Sequence, residues 1–570
     1  MKRWITADVN EEAAGHLAKA GDLPLPFARL MLARGFTNTD AIHAFCNPRL
    51  ADLNDPFALP GVELGAKRIL TALTENQRIV IFGDYDVDGV TSTSLLFLIL
   101  REMGADVAPF IPSRIDYGYG LQTDAAQHCL ETFAPKLFIT VDCGVNSHES
   151  VVFLQEHGVD VIITDHHEPG ETTATPLALI NPKLHDFPDL QLLAGVGVAF
   201  KLCHGLVKQA KLGDITCAKD IDLRPYLELV ALGTVCDIVP LQAENRLLVR
   251  QGLKQLNKTQ SLGLLALIKQ AGIDQKKLAA YHLGFQLGPR INAAGRLAEA
   301  STALKLLTTT DPCEARNLAQ ELDHYNKDRQ DVEAAIVEEA NVLIEIIPTA
   351  KRPSSLVVAG SGWHPGVVGI VASRLVRKHR KPAIVIAIDE EKGMGHGSCR
   401  SLEGFNLIEA LDECADYLEG YGGHAMAAGL SVRQDQFEAF KECFEKIAAK
   451  RLKNMDLRET IKVDSPLRLP EVNWDLFHKV EDLEPFGMGN PKPVWSMQQV
   501  EIISKRTVAQ KHAKVIISDG QNEISGIYFN TKAENLPNGL VDISFSLSCN
   551  SFRGQESLEI QIKAIRKTVQ

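Results

Sequence analysis

The chain has 570 residues, 45% hydrophobic and 23% charged, with a formal net charge of -12 at pH 7. That length suits about three or four domains with real cores, and the acidic balance excludes a molecule that is a basic nucleic-acid sleeve throughout, though not one with a local basic channel. Eleven cysteines without a CxxC pair exclude a disulfide framework or a zinc knuckle and suit reduced thiols in the cytoplasm.

The start, MKRWITADVNEEAAGHLAKAG, lacks an apolar h-region, so no secretory signal is expected. No stretch approaches the run of about 20 apolar residues that a membrane helix needs. Residues 1–75 read as an N-terminal helical segment with a Pro/Asn/Asp-rich break at 47–60. From about 76 to 240 strands and helices alternate: RIVIFG, DVAPFIP, LFITVDCG, VDVIITDHH and LALINP are the strands, with helices such as TSTSLLFLILREMG and SHESVVFLQEHG between them. Alternation of this kind predicts an α/β domain with a parallel, doubly wound sheet.

Residues 241–350 read as helical. The stretch 313–347 carries no Gly or Pro, which predicts one long connecting helix or a broken pair, charged enough to be an exposed strut. A second α/β unit spans 351–454, with strands at SSLVVAG and PAIVIAID, a helix at VVGIVASRLVRKH, and GMGHGSCRS and GYGGHAMAAGL read as glycine-rich turns. From 455 to 570 short β-like runs (VEIISKRTV, AKVIISD, EISGIYF, VDISFSLS, LEIQIKAI) predict a small barrel such as an OB-fold. Residues 451–570 hold 16 Lys and Arg against 15 Asp and Glu, so the acidity of the chain belongs to the part before them.

Four acidic segments punctuate the first half: GDYDVDG (Asp84, Asp86, Asp88), VDCG (Asp142), TDHH (Asp165, His166, His167) and GTVCDIVPL (Asp237). Three follow apolar runs, and strand ends in a parallel sheet gather in one crevice. Carboxylates packed there without a cation would repel one another and raise one another's pKa values; two divalent cations would turn them into a ligand set for hydrolysis or phosphoryl transfer. Hard carboxylates with one imidazole favour Mn²⁺ or Mg²⁺ over structural zinc. A calcium EF-hand is the weaker reading of Asp84-x-Asp86-x-Asp88: a strand precedes it, and Leu95 stands where the bidentate Glu belongs. Helix capping is the bland reading of each Asp taken singly.

These segments, in this order, resemble the four motifs of the DHH phosphoesterases, and GHGSCRS with GYGGHAMAAGL resembles that family's associated domain. With EPFGMGNPKPVW before the barrel, the resemblance covers the chain from about residue 45 to its end and points to the branch that degrades single-stranded DNA from the 5′ end to mononucleotides in repair and recombination. It implies two cations held by Asp84, Asp86, Asp88, Asp142, His166 and Asp237, with Asp142 bridging. His167 then touches substrate, donates a proton, or supports His166. Many relatives carry a histidine where this chain has Phe82, so Asp84 is expected to stand in for it. The resemblance further implies a 5′-phosphate pocket from Arg114, Ser398 and Arg400; His424 is expected to line the same cleft, and Arg290 and Arg296 either to contact the strand's backbone or to cap helix ends.

On the barrel, Lys505, Arg506, Lys511, Lys514 and Arg553 lie among Trp495, Tyr528, Phe529 and Phe552. Basic residues can follow phosphates while aromatic faces stack bases, although each aromatic alone reads more readily as core. The partners expected are single-stranded DNA, a single-strand-binding protein and a RecQ-type helicase. The competing functions are another DHH hydrolase, acting on short oligonucleotides or cyclic dinucleotides, and a non-catalytic nucleic-acid scaffold. The relatives of the first kind are typically shorter and lack the barrel; the second should have lost ligands.

Overall fold

The computed structural model describes residues 2–113, 117–118, 120–346, 352–552 and 554–568. Arg114, Arg553 and the side chain of Phe552 lie outside the described residues.

A short first strand, β1 (Arg3–Thr6), leads into helices α1 (Glu11–Gly21), α2 (Leu25–Ala33) and α3 (Thr39–Cys46), then α4 (Val62–Thr74). The parallel sheet follows: β2 (Ile79–Gly83), α5 (Val87–Glu102), β3 (Val107–Phe110), α6 (Thr123–Phe133), β4 (Leu137–Val141), α7 (His148–Glu156), β5 (Asp160–Thr164) and β6 (Ala178–Ile180). Its spatial order is β3-β2-β4-β5-β6, every pair parallel. All five residues of β2 and of β4 are buried, as expected of strands covered by helices on both faces, which read as unbroken apolar runs. Phe82 belongs to one of those faces, packed between Phe110 and Phe138 at 5.8 and 5.9 Å. Truncating a ring so buried typically costs about 3–5 kcal/mol.

Helix α8 (Gly195–Leu212) packs against β4 and β5, and α9 (Leu227–Cys236) and α10 (Ala243–Leu256) extend the same core beyond α5; a π-helical turn at Leu283–Leu287 then opens into α11 (Gly288–Leu297). The stretch without Gly or Pro is one helix, α12 (Pro312–Glu345), 34 residues long. Asp311 caps it, accepting from the backbone N–H of Cys313 and Glu314 at 2.6 and 3.1 Å, and Pro312 sits at its first position, where a missing N–H costs nothing.

The second lobe is a five-stranded sheet of β7 (Leu356–Ser361), β8 (Ala383–Asp389), β9 (Met394–Arg400), β10 (Gly420–His424) and β11 (Ala427–Arg433). Its helices are α13 (Val368–His379), α14 (Leu407–Asp412) and α15 (Phe437–Leu452). GMGHGSCRS and GYGGHAMAAGL, expected as turns, are instead the antiparallel strands β9, β10 and β11. Glycine is needed because the neighbours lie so close. A Cβ on Gly395 would stand 2.6 Å from Ile386, and one on Gly397 2.8 Å from Leu430.

The chain ends in β12 (Thr460–Val463), β13 (Ser465–Pro466), α16 (Trp474–Glu481), and then β14 (Trp495–Val508), β15 (His512–Ser518), β16 (Glu523–Tyr528), β17 (Leu540–Phe552) and β18 (Gln555–Lys567). The order β14-β15-β16-β18-β17, with β17 paired back to β14, closes a five-stranded barrel. Trp495 and Phe545 fill its interior, fully buried. The same core takes in Phe27, Leu30 and Met31 from α2, and β1 pairs with β12, so the first three helices pack on the barrel. By contrast, α4 packs into the core of the parallel sheet.

Candidate metal centre and phosphate cleft

The segment after β2 turns sharply. Asp86 caps α5 by accepting from Gly89 N at 3.0 Å, and a Cβ on Gly89 would come within 2.3 Å of the Asp84 carbonyl oxygen. Asp142 follows β4 in the left-handed region, at φ 62°, a costly conformation for a non-glycine residue that is retained where surrounding structure demands it. Gly195, at the start of α8, lies against it: a Cβ there would meet Asp142 Oδ1 at 2.4 Å. Asp88 accepts from the N–H of Gly195 and Val196 at 2.6 and 2.9 Å, so the N-terminus of an 18-residue helix faces the carboxylates with the positive end of its dipole.

These elements bring the acidic segments together. His166 Nε2 lies 3.1 Å from Asp142 Oδ1, 3.6 Å from Asp237 Oδ2 and 3.9 Å from Asp88 Oδ2. Asp84, Asp86 and Asp142 form a second group whose oxygens lie within 4.8 Å of one another. Phe82 takes no part; its ring packs in the apolar cluster with Phe110 and Phe138, and Asp84 enters the acidic group two residues later.

Asp142 Oδ1, His166 Nε2 and Asp237 Oδ2 are buried and have no hydrogen-bond partner, an arrangement that costs a few kcal/mol per group unless something fills the space between them. Hard oxygen donors with one imidazole suit Mg²⁺ or Mn²⁺, so the residues present fit a divalent metal centre. The electrostatics agree. Burial, followed by the charges of Asp88, Asp86, Asp84 and Asp237, pushes the Asp142 carboxyl well above its ordinary range. Burial and then Asp86 raise Asp88, and burial with Asp88 and Asp86 raises Asp237. His166 is pushed down, first by burial and then by His167.

Asp165, which the sequence motif places in the cluster without a role, organises this corner. Its Oδ1 accepts from the backbone of His166 and His167 at 2.7 and 3.0 Å and pairs with His167 Nδ1 at 2.7 Å; its Oδ2 accepts from Val145 N at 2.9 Å. Burial alone would lower the pKa of His167, but the hydrogen bond and charge of Asp165 overcome it and raise it to about 9. Nothing in the sequence alone distinguishes this aspartate from a ligand, since its role depends on where the chain turns after β5.

The second lobe presents a cleft of about 660 Å³ lined by Arg296, Gly366, His396, Ser398, Arg400 and Tyr421, among others. Arg400 donates through Nη1 to Ser398 Oγ at 3.0 Å and to the Cys399 carbonyl at 2.8 Å. A Cβ on Gly369 would stand 2.9 Å from Ser398 Oγ and 3.2 Å from Arg400 Nη2, so α13 approaches closely beneath them. His424 is exposed at the end of β10. Arg296 Nη1 donates to the Gly366 carbonyl at 2.9 Å, joining the first lobe to the second. Arg290 is held by Asp323 at 2.9 Å and by the Gln286 carbonyl at 2.7 Å, which places it in the packing of α11 on α12.

On the barrel, Lys505 Nζ donates to Asn538 at 2.8 Å and to the Leu536 carbonyl at 3.1 Å, and Lys514 pairs with Glu559. Arg506 and Lys511 are exposed. Phe529 is 43% exposed, edge-on to His512 at 5.0 Å, while Trp495 is core.

Sequence patterning gave no sign of an apolar groove beside Asp237. Ile238, Phe285 and Met488 line it with Tyr281, and the Tyr281 and Phe285 rings stack at 5.0 Å although 61% and 71% exposed. The EPFGMGNPKPVW segment forms its far wall, joined to the loop after Asp237 by the hydrogen bond from Leu241 N to the Met488 carbonyl at 2.8 Å.

Comparison with known proteins agrees across the chain. Residues 78–234 match the DHH family N-terminal domain, 352–450 the DHHA1 domain and 463–564 the RecJ OB domain. The single-stranded-DNA-specific exonuclease RecJ of Bacillus subtilis (strain 168) is 37% identical over 571 residues, covering 98% of this chain and 70% of that protein. The crystal structure of RecJ from Thermus thermophilus in complex with Mn²⁺ superposes with a TM-score of 0.85 at 32% identity, covering 100% of this chain and 80% of that one. The Mg²⁺ complex of the same protein gives 0.79 at 30% identity, with 100% and 79% covered.

Proposed function

The chain belongs to the RecJ family of DHH phosphoesterases, and from that premise we infer that it is a metal-dependent exonuclease specific for single-stranded DNA, which it enters from the 5′ end. The observation that carries the hydrolytic reading is the trio of buried, unpartnered atoms Asp142 Oδ1, His166 Nε2 and Asp237 Oδ2 facing one another. The cofactor is Mn²⁺ or Mg²⁺, and Asp84, Asp86, Asp88, Asp142, His166 and Asp237 would hold two such ions. When bound, they supply the positive charge that lowers the pKa of an attacking water and offsets charge on the leaving oxygen.

The protein's own part can be followed residue by residue. Asp165 holds His167 by Nδ1, so the exchangeable proton of the ring is on Nε2. His167 is thereby set to donate that proton toward the scissile group. In the second lobe, Ser398 and Arg400 would take the terminal 5′-phosphate. A guanidinium matches a phosphate by two parallel hydrogen bonds, and the glycines around it let a ligand approach the backbone. Polarity follows: the end held in the cleft is the end that reaches the metal centre.

The apolar groove beside Asp237 and the exposed Arg506, Lys511 and Phe529 support a single strand over a duplex, because aromatic faces stack unpaired bases irrespective of sequence. A strand that has to be single calls for a helicase of the RecQ type to open it and a single-strand-binding protein to coat it, in the cytoplasm where DNA repair and recombination take place. The closed barrel opposes the short-oligonucleotide reading, and the complete ligand set opposes an inactive scaffold.

The test is digestion of strands labelled at either end, with Mn²⁺, Mg²⁺ or excess chelator. Mononucleotide release from the 5′ label first, and none in chelator, is expected. Release from the 3′ label first would overturn the polarity, and release in chelator would overturn the metal centre.

A further inference from the structure

Away from both sites, two cysteines meet inside the second lobe. Cys414 follows α14, and Cys443 lies on α15, 29 residues further on. Their sulfurs are 3.3 Å apart, with Cys414 Sγ donating to Cys443 Sγ, and Cys443 Sγ donates in turn to the Glu413 carbonyl at 3.7 Å. Closing to a disulfide, about 2.05 Å, needs a movement of only about an ångström. The two differ in access. Cys414 is fully buried, whereas Cys443 is partly exposed.

We propose that Cys414 and Cys443 form a reversible disulfide when the protein meets a hydroperoxide, and that this bond latches α14 to α15. The order of events follows from access. The reacting form of a thiol is its thiolate, and the partly exposed Cys443 is the sulfur that a hydroperoxide reaches first. The Cys443 sulfur attacks a peroxide oxygen, forming an S–O bond as the O–O bond breaks and water (or an alcohol) leaves. The Cys443 sulfenic acid is then attacked by Cys414, forming the S–S bond as the S–O bond breaks; the two thiol protons depart in the water molecules. Sulfur is oxidised by two electrons in all, and one hydroperoxide is reduced. Burial and the neighbouring sulfur hold the Cys414 thiol up, which keeps it from reacting first.

The latch would bear on the phosphate cleft. Asp412, two residues before Cys414, accepts from the Tyr421 hydroxyl at 2.8 Å, and Tyr421 is on β10 in the cleft wall. Arg451 of α15 already reaches Glu409 and Glu413 at 3.0 and 2.5 Å, so a covalent link there would reinforce an existing contact between the helices.

The test uses the full chain treated with hydrogen peroxide, then peptide mapping without reductant. A peptide pair joined through Cys414 and Cys443, lighter by two hydrogens and released by dithiothreitol, is expected. The exposed Cys217 and Cys313 report that the oxidant acted. Oxidation at those two with no Cys414–Cys443 link, or sulfinic acid accumulating on Cys443, would overturn the proposal. In Cys443→Ser the linked pair should vanish and Cys414 should remain a thiol; if Cys414 is oxidised there as fast as in the parent chain, the assigned order is wrong. Amide exchange over Gly420–His424 should slow in the disulfide form, and unchanged exchange would overturn the latch.

Discussion

The candidate metal centre of the first lobe and the proposed phosphate cleft of the second would hold opposite charges by opposite means. In the first, carboxylates that would repel one another are gathered at the ends of the buried strands β2 and β4 and at the start of a helix; burial raises Asp142, Asp88 and Asp237, a cost that bound cations would offset. In the second, the polar side chains are few, β10 is exposed along its length, and glycines at 395 and 397 let side chains of the neighbouring strands come close. On the proposed reading, a cation site is built by concentrating ligands, and an anion site by removing side chains around one or two donors.

The sharpest way to break this comparison is to remove a ligand from the crowded side. Asp142→Ala should lower turnover by orders of magnitude, because Asp142 lies against His166 and also belongs to the group with Asp84 and Asp86, while the melting temperature stays near that of the parent chain. A modest loss of turnover would mean that the crevice is not the reaction centre.

The sparse side is tested next by Arg400→Ala. It should cut kcat/KM on 5′-phosphorylated strands by about 10- to 100-fold, the range for a lost charged hydrogen-bond pair, and leave 5′-hydroxyl strands far less affected. Equal losses on both would leave Arg400 a structural residue.

Charge crowding also predicts a pH effect on the stripped protein. Carboxyls whose folded pKa is raised bind protons more tightly folded than unfolded, so stability falls as pH climbs through the raised values. Asp88 at about 7, Asp237 at about 9 and His167, raised from 6.5 to about 9, all act in this direction. In chelator the melting temperature should drop by several degrees between pH 6.5 and 9, and Mn²⁺ should lessen the drop. A flat profile in chelator would show that the carboxylates are not crowded.

The smallest effect is expected at the barrel. Deleting it would strip cover from Phe27, Leu30 and Met31, so surface changes are the cleaner test. Arg506→Ala with Lys511→Ala should weaken binding of long strands a few-fold and flatten the salt dependence by about 0.7 per lost phosphate contact. Titration of fluorescent strands across salt concentrations measures both; an unchanged slope would remove these two side chains from the DNA path.

How much of this was legible depended on which signals are local. The runs of β2, β4 and β5 were readable because strands buried on both faces are apolar throughout, and the acidic segments because they follow those runs directly. In the second lobe β7 and β8 were readable in the same way, but β9, β10 and β11 were hidden: in GMGHGSCRS glycine takes the places where an alternating side chain would signal a strand. Asp165 and Asp142 looked alike in sequence, yet one orients His167 and the other faces the cation site, a distinction set by the turn after each strand. Arg290 and Arg296 share one motif, but Asp323, on a helix far along the chain, takes only Arg290. The packing of α1–α3 against the barrel joins residues more than 400 positions apart, which no local pattern records.

The central claim is that the crevice at the end of the parallel sheet is a two-cation centre. Its most direct test is electron paramagnetic resonance of the chelator-stripped full chain titrated with Mn²⁺. Two bound ions per chain with a spin-coupled signal are predicted in the parent protein, and loss of that coupling in Asp142→Ala. A single uncoupled six-line spectrum at saturation, unchanged by Asp142→Ala, would contradict it.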